Sequence, residues 1–311
     1  MYYDPSTETV LDYHGGMEDI RSKTIRMIGN PSKRYREDPV RMLRAIRFAA
    51  KTGFQIEPKT LAPIHELSQL IHDVPSARLF DEILKLLMSG HAWAGIQALH
   101  HANLHHGLLP FMNRALEDTQ AAQFIEQALR NTDERIQMGK SVSPGFLFAA
   151  LLWPDLEKQW QVLRNTGMPA VAALHAAIDT VVAPSHTGIT IQRRHEGDMR
   201  DIWTMQPRFE KQVGRYPERL LEVPRFRAGY DFMLLRSQTG YCKPSLGQWW
   251  TDFYHADLPE REALLASAKL DDLASGKTPV NPNRNRRRRP KKPKPNLNTP
   301  PDSGPNDAKQ S

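Results

Sequence analysis

From Asp38 almost to residue 270, apolar residues recur at helical spacing and are interrupted at short intervals by glycine and proline. A chain patterned this way has one broad outcome open to it, a packing of many short helices. The pattern predicts helices over 38–52, 57–71, 76–89, 91–102, 119–137, 144–152, 156–166, 169–182, 191–204, 225–238, 245–254 and 259–268. Gly53, Gly90, Gly139, Gly167 and Gly188 stand near the ends of these segments, and prolines mark several starts. No fixed-period repeat runs through them.

The first 30 residues differ. "MYYDPSTETVLDYHGG" reads as strand, turn, strand, with Pro5, Ser6 and Thr7 in the turn and Thr9, Val10, Leu11 and Tyr13 favouring a strand. A lone two-stranded hairpin is marginal in water, so this one needs a sheet that the sequence does not supply. At 311 residues the chain suits one large or two modest domains. Its single cysteine, Cys242, allows no internal disulfide and suits a reducing compartment. No apolar run has the roughly 18 residues of a membrane span, and no signal-peptide pattern opens the chain. A soluble, cytoplasmic protein is expected.

The net charge of +7 is unevenly spread: residues from Lys277 onward carry +8, which leaves −1 on everything before them. That tail is rich in Pro, Asn, Lys and Arg and nearly free of large apolar side chains, so it is expected to be disordered. Its block of Arg284, Arg286, Arg287, Arg288, Arg289, Lys291, Lys292 and Lys294 can neutralise phosphates by counterion release with little sequence preference. A merely solubilising tail is the bland alternative, and contact with an anionic membrane surface stays open.

In "REDPVRMLRAIRF" (36–48), arginines at 41, 44 and 47 lie along one side of a helix start, and Met42, Leu43, Ile46 and Phe48 can bury another. A helix start favours anions, so the charge needs a reason. Asp38 before Pro39 suits an N-cap and first-position pair. An ionised carboxylate beside the Arg41 guanidinium also offers a fixed acceptor next to fixed donors, which matches the Watson–Crick edge of adenine. Arg44 and Arg47 either meet phosphates or pair with Asp19, Asp81 or Glu82.

The stretch "RMIGNPSKRYREDPVRMLRAIRFAAKTGF", preceded by "YYD…VLDYHGGMEDI" and followed by "PSARLFDEILKLL", resembles bacterial poly(A) polymerase of the class II nucleotidyltransferase superfamily, which also contains the CCA-adding tRNA nucleotidyltransferases. The resemblance runs from residue 1 to about 255. It implies a mainly α fold: a β-hairpin remnant of an α/β nucleotidyltransferase head (1–30), a helical neck for nucleotide base and RNA (31–130), a helical RNA-binding body (131–270) and the basic tail (271–311). It also implies that Asp38 and Arg41 contact the base of ATP, and that the activity is addition of AMP to RNA 3′ ends. CCA addition is the rival activity, for which a long Arg-rich tail is less expected. A non-catalytic RNA-binding protein is the rival class.

Members of that superfamily begin with a Gly-Ser phosphate element, a strand with two metal-binding aspartates one residue apart, and a later Arg-Arg-Asp-Phe-Thr-type strand. None is found in these 311 residues, which open where the last would end, so an N-terminally truncated chain without catalytic residues is expected. Mg2+ is implied by the resemblance, yet its ligands are missing. Asp4, Asp12 and Asp19 lack the one-residue spacing and read as strand or loop residues. The histidines of "HHANLHHG", with His91, read as helix-end residues rather than metal ligands. "GQWWTDFYH" (247–255) either closes a core or stacks bases, and Arg225, Arg227 and Arg236 form either a solvated or an RNA-facing edge. RNA 3′ ends are the expected partner, with RNA-decay proteins a further candidate; oligomeric state is not legible.

Overall fold

The structure, a computed structural model, describes residues 1–105, 118–183 and 189–274. The hairpin is present: β1 (Tyr2–Asp4) pairs antiparallel with β2 (Thr9–Leu11), Tyr2 opposite Leu11. The Asp4 carboxylate closes the turn by accepting from the Ser6 amide at 2.9 Å and hydroxyl at 2.6 Å. Tyr2, Tyr3 and Val10 all remain exposed, so the hairpin adds little to the core. Asp12 then starts α1 (Gly16–Arg21) by accepting from the amides of Gly16 at 2.9 Å and Met17 at 2.8 Å.

A second pair of strands, not foreseen, frames the next two helices. β3 (Thr24–Ile25) and β4 (Gln55–Ile56) run parallel. Between them lie α2 (Pro31–Glu37) and α3 (Val40–Thr52). Helix α2 was missed despite a local signal, since Asn30 accepts from the Lys33 amide at 2.9 Å and Pro31 takes the first turn. Tyr35 on α2 is fully buried and donates to the Thr60 carbonyl at 3.0 Å, and burial pushes its phenol up to about 12.

Among the described residues, helices then follow to residue 274: α4 (Pro58–Leu67) with a 3-10 turn (Ser68–Asp73), α5 (Ser76–Leu87), α6 (Ala92–His101), α7 (Thr119–Gln137), α8 (Pro144–Asn165), α9 (Ala170–Val181), α10 (Arg193–Phe209), α11 (Tyr216–Leu221), α12 (Phe226–Gln238), α13 (Pro244–His255) and α14 (Leu258–Ala274). The fold is mainly α, as expected. One expected break is absent, because α8 runs through Pro154 where two helices were predicted. A proline costs a helix one hydrogen bond. Leu147 to Pro154 are buried without interruption, Leu156 and Trp160 are buried beyond that position, and their packing holds the axis together. Pro207 inside α10 is carried in the same way, between buried Gln206 and Phe209.

Residues 1–269 form one compact unit; residues 270–311 are grouped apart, and of them only 270–274, the end of α14, are described. One continuous core runs from Tyr35 to Leu235 with α8 at its centre, packed against α7, α9, α10 and α12. A helix apolar on most of its circumference belongs in the interior. Phe80 of α5 stacks on Phe148 of α8 at 5.4 Å, which ties the N-terminal helices to that centre. Asp133 of α7 caps α6, accepting from the amides of Ala92 at 2.7 Å and Trp93 at 3.1 Å.

A smaller cluster gathers Met205, Phe209, Leu220, Phe226, Tyr230, Met233, Trp250 and Phe253. Trp250 donates to the Phe209 carbonyl at 2.8 Å, and Trp249 stacks on Phe253 at 4.9 Å. The aromatic run of 247–255 is thus engaged in packing.

At the crossing of α8 with α10, Gly145 lies against Asp198, and a methyl group on Gly145 would overlap the Asp198 side chain. Gly145→Ala is expected to lower stability by about 1–3 kcal/mol through overpacking. Urea denaturation checks this. The midpoint should fall with an unchanged slope, and an unmoved midpoint would show that the crossing yields without cost.

Candidate functional site

The corner between α2 and α3 carries the acidic pair. Asp38 ends α2 in an extended conformation (φ −152°, ψ 95°), the conformation favoured for a residue ahead of proline. Its carbonyl accepts from the Arg41 amide at 3.1 Å, so its main chain begins α3. The carboxylate does not cap the helix as the sequence suggested. It is held from α5, where Arg78 Nη2 donates to both Asp38 oxygens at 3.0 and 3.1 Å. Arg78 lies 40 residues away, and no local pattern marks it as a partner.

Arg41 is not paired with Asp38 either. Its Nη1 donates to the Arg34 carbonyl at 3.1 Å and to Glu37 at 3.2 Å. Glu37 also accepts from Arg34 at 2.8 Å. The hydrogen bond from Arg41 is the largest single cause that lowers the Glu37 pKa, and Arg34 adds to it against the opposing effect of burial. The guanidinium of Arg41 therefore sits over the C-terminal end of α2, the negative end of that helix. This accounts for Arg41 at the start of α3, whose own dipole would repel it.

Two faces remain for a ligand. Both Arg41 bonds use Nη1, so among the described residues no acceptor claims Nη2 or Nε. The Asp38 side chain is 19% exposed, and each of its oxygens keeps a lone pair beyond the Arg78 bond. An acceptor and a set of donors thus stand one turn apart at a single corner.

Arg44 and Arg47 converge on Glu82, one of the acids the sequence offered. Arg44 Nε lies 3.3 Å and Arg47 Nε 3.4 Å from its oxygens, and Lys85 donates at 3.0 Å. The Glu82 side chain is only 4% exposed. Burial by itself would raise its pKa, but Lys85, Arg44 and Arg47 outweigh burial and the net direction is down. Arg47 also lies over the Phe48 ring at 4.3 Å. Phe48, expected on the buried side of α3, is instead 44% exposed. It borders a cleft of about 220 Å3 that it shares with Met27, Arg41 and Arg44.

Arg225 bonds Asp198 at 2.6 Å and Asp201 at 3.0 Å, and Arg227 bonds Asp231 at 3.0 Å. Both line a second cleft, of about 620 Å3, between α7 and α12. Arg236 is no surface edge: it is buried, lies over Trp153 at 4.6 Å and donates to Gln206 at 3.3 Å. His100 stacks on His105 at 4.4 Å. The tail cations from Arg284 to Lys294 lie outside the described residues, as does His106.

The residues present do not fit the metal ions that the sequence resemblance implies. Asp4 and Asp12 are committed to turn and helix-start hydrogen bonds, and Asp19 bonds Arg26 at 3.0 Å. Among the described residues no group of three His, Cys, Asp or Glu is arranged to hold an ion.

Glu82→Gln leaves three cations around a neutral amide and is expected to cost roughly 2 kcal/mol, because two of the three can still turn to water. Thermal melts at neutral pH check it. A lowered folded pKa means that the stabilisation is complete above the unfolded value of about 4.5 and fades as pH falls through the lower folded value. The difference in melting temperature between wild type and Glu82→Gln should accordingly shrink below pH 4.5. A difference independent of pH would remove the charge from the explanation.

Two family models match the sequence: "Polymerase A arginine-rich C-terminus" over residues 166–293 and "Probable RNA and SrmB- binding site of polymerase A" over residues 53–116. Poly(A) polymerase I of Salmonella typhi is 40% identical over 278 residues, covering 88% of this chain and 59% of that protein. A CCA-adding enzyme of Enterococcus faecalis is also 40% identical, but over 91 residues, 29% of this chain. A solved structure titled tRNA-processing enzyme (apo form 2) covers 84% of this chain and 68% of that one, with a TM-score of 0.52 at 17% identity, a likeness of fold alone. The chain spans about three-fifths of the length of the poly(A) polymerases it matches. The matched domains, and identity sustained across most of the chain, make it a member of the bacterial poly(A) polymerase family.

Proposed function

We propose that this chain provides the base-reading and RNA-holding parts of a template-independent polynucleotide adenylyltransferase, which transfers AMP from ATP to RNA 3′ ends. The observation that carries this reading is the α2–α3 corner, where the Asp38 carboxylate is fixed by Arg78 and Arg41 keeps free donors. The exocyclic amine of adenine donates to the carboxylate, and a ring nitrogen accepts from the guanidinium. Both groups are held before a base arrives, so little ordering entropy is lost on binding. CCA addition is less favoured, since similarity to those enzymes covers a much smaller part of the chain.

RNA is the partner in this reading, and the cytoplasm the location. The tail cations supply a sequence-independent grip, and the near-neutral remainder supplies little long-range attraction. A truncation before Lys277 should weaken RNA binding and flatten the slope of log affinity against log salt. Equal slopes for the two chains would move the RNA anchor elsewhere.

The adenylyl transfer itself needs metal-binding carboxylates, and the described residues offer none that fit. These 311 residues alone, given ATP, a divalent metal and an oligo(A) primer, are expected to incorporate no AMP. Joined to the N-terminal portion of the Salmonella typhi relative, they should do so. In that chimera Asp38→Asn is expected to reduce discrimination of ATP over other triphosphates by roughly tenfold while costing under ~1 kcal/mol of stability, because its partner Arg78 is half exposed. Arg41→Lys should behave alike, as an ammonium does not reproduce the planar fork. Unchanged selectivity in both variants would return the corner to a structural role.

A further inference from the structure

The 220 Å3 cleft beside α3 has a composition that the corner does not explain. Arg41, Ala45 and Phe48 fall on one face of the helix, at successive turns, and all three line the cleft together with Ile25 and Met27 from the β3 segment. The neighbours of Phe48 on the core side, Leu43 and Ile46, are buried, yet Phe48 itself leaves 44% of its surface in solvent. Its ring is not loose. The Arg47 guanidinium lies 4.3 Å from the ring centroid, and Arg47 is in turn held against buried Glu82 at 3.4 Å.

The cleft is smaller than the roughly 300–1,000 Å3 of pockets that take drug-sized ligands, so it suits one flat ring system rather than a whole nucleotide. An aliphatic side chain would fill the apolar space, but it would offer no acceptor to Arg41 at the margin of the cleft. A nucleobase meets both demands, because its faces are apolar and its edge carries acceptors. Phenyl and thioether groups are good partners for such a face.

We infer that Phe48, backed by Arg47, is the stacking wall of the nucleobase site, with Ile25 and Met27 on the β3 side and Arg41 at the base edge. This rests on the reading of Asp38 and Arg41 as base contacts and adds to it a division of labour. The corner selects among bases by their edges. Phe48 contributes affinity to any base, since every base has a π-face.

The test is saturation-transfer NMR on the 311-residue chain, titrated with AMP, GMP and CMP, which yields a dissociation constant for each. Phe48→Leu should weaken all three by roughly tenfold without changing their order, and Phe48→Tyr should stay within about twofold of wild type. Phe48 is exposed, so its melting temperature should be preserved, and the melt is run as a control. Asp38→Asn should change the ratio of AMP to GMP affinity. AMP binding as tight in Phe48→Leu as in wild type overturns the stacking wall. Absence of transfer to the adenine protons with wild-type chain overturns it too. An AMP to GMP ratio unaffected by Asp38→Asn, with the Phe48 effect intact, would sink the edge-reading role alone and leave the wall standing.

Discussion

Glu82 is the interaction on which the N-terminal half depends. A carboxylate taken almost wholly out of water is costly unless cations surround it, and here three do, two of them from α3 and one from its own helix. The arrangement docks α5 on α3 and fixes the angle at which α3 presents its charged face. Arg78, one turn before Glu82 on α5, then reaches Asp38. Thus one helix both holds α3 and holds the acid at its start. The link continues through Arg47 to Phe48, so a buried carboxylate governs the position of an exposed ring.

Much of this was legible in the chain and some was not, for definite reasons. Helix α7 was expected over 119–137 and is found there, since a long amphipathic period needs no tertiary help to be recognised. The interruption at Pro154 was over-read, because local chemistry forbids one hydrogen bond while the core on either side of it outweighs that loss. Short α1, α2 and α11 escaped because six or seven residues show too little periodicity, although Asn30-Pro31 was a usable signal for α2.

Asp38 and Arg41 stand out in the sequence by type and spacing, but the groups that hold them in the structure do not. Glu37 lies within one turn of Arg41 and could have been named from sequence. Arg78 could not, since only the packing of α5 brings it near. Phe48 was assigned to the buried side because helical periodicity describes an average face. Which residue at the margin of that face is covered depends on what packs beside it. The same reason explains Arg236, which is buried where α12 packs on α8 and whose guanidinium lies over Trp153.

Under the proposed RNA-holding role, the core that runs unbroken from Tyr35 to Leu235 has a consequence for how a polynucleotide would be handled. The separation between the α2–α3 corner and the α12 face is set by buried side chains, and the unit that contains both is compact. That makes it a gauge whose length changes only by repacking a close-packed core. A strand lying along such a gauge and growing by one nucleotide finds no extra span in the protein to accommodate it. In that reading translocation falls to the strand, which has to slip, and the weak, sequence-blind character of counterion-based contacts is what would make slipping cheap.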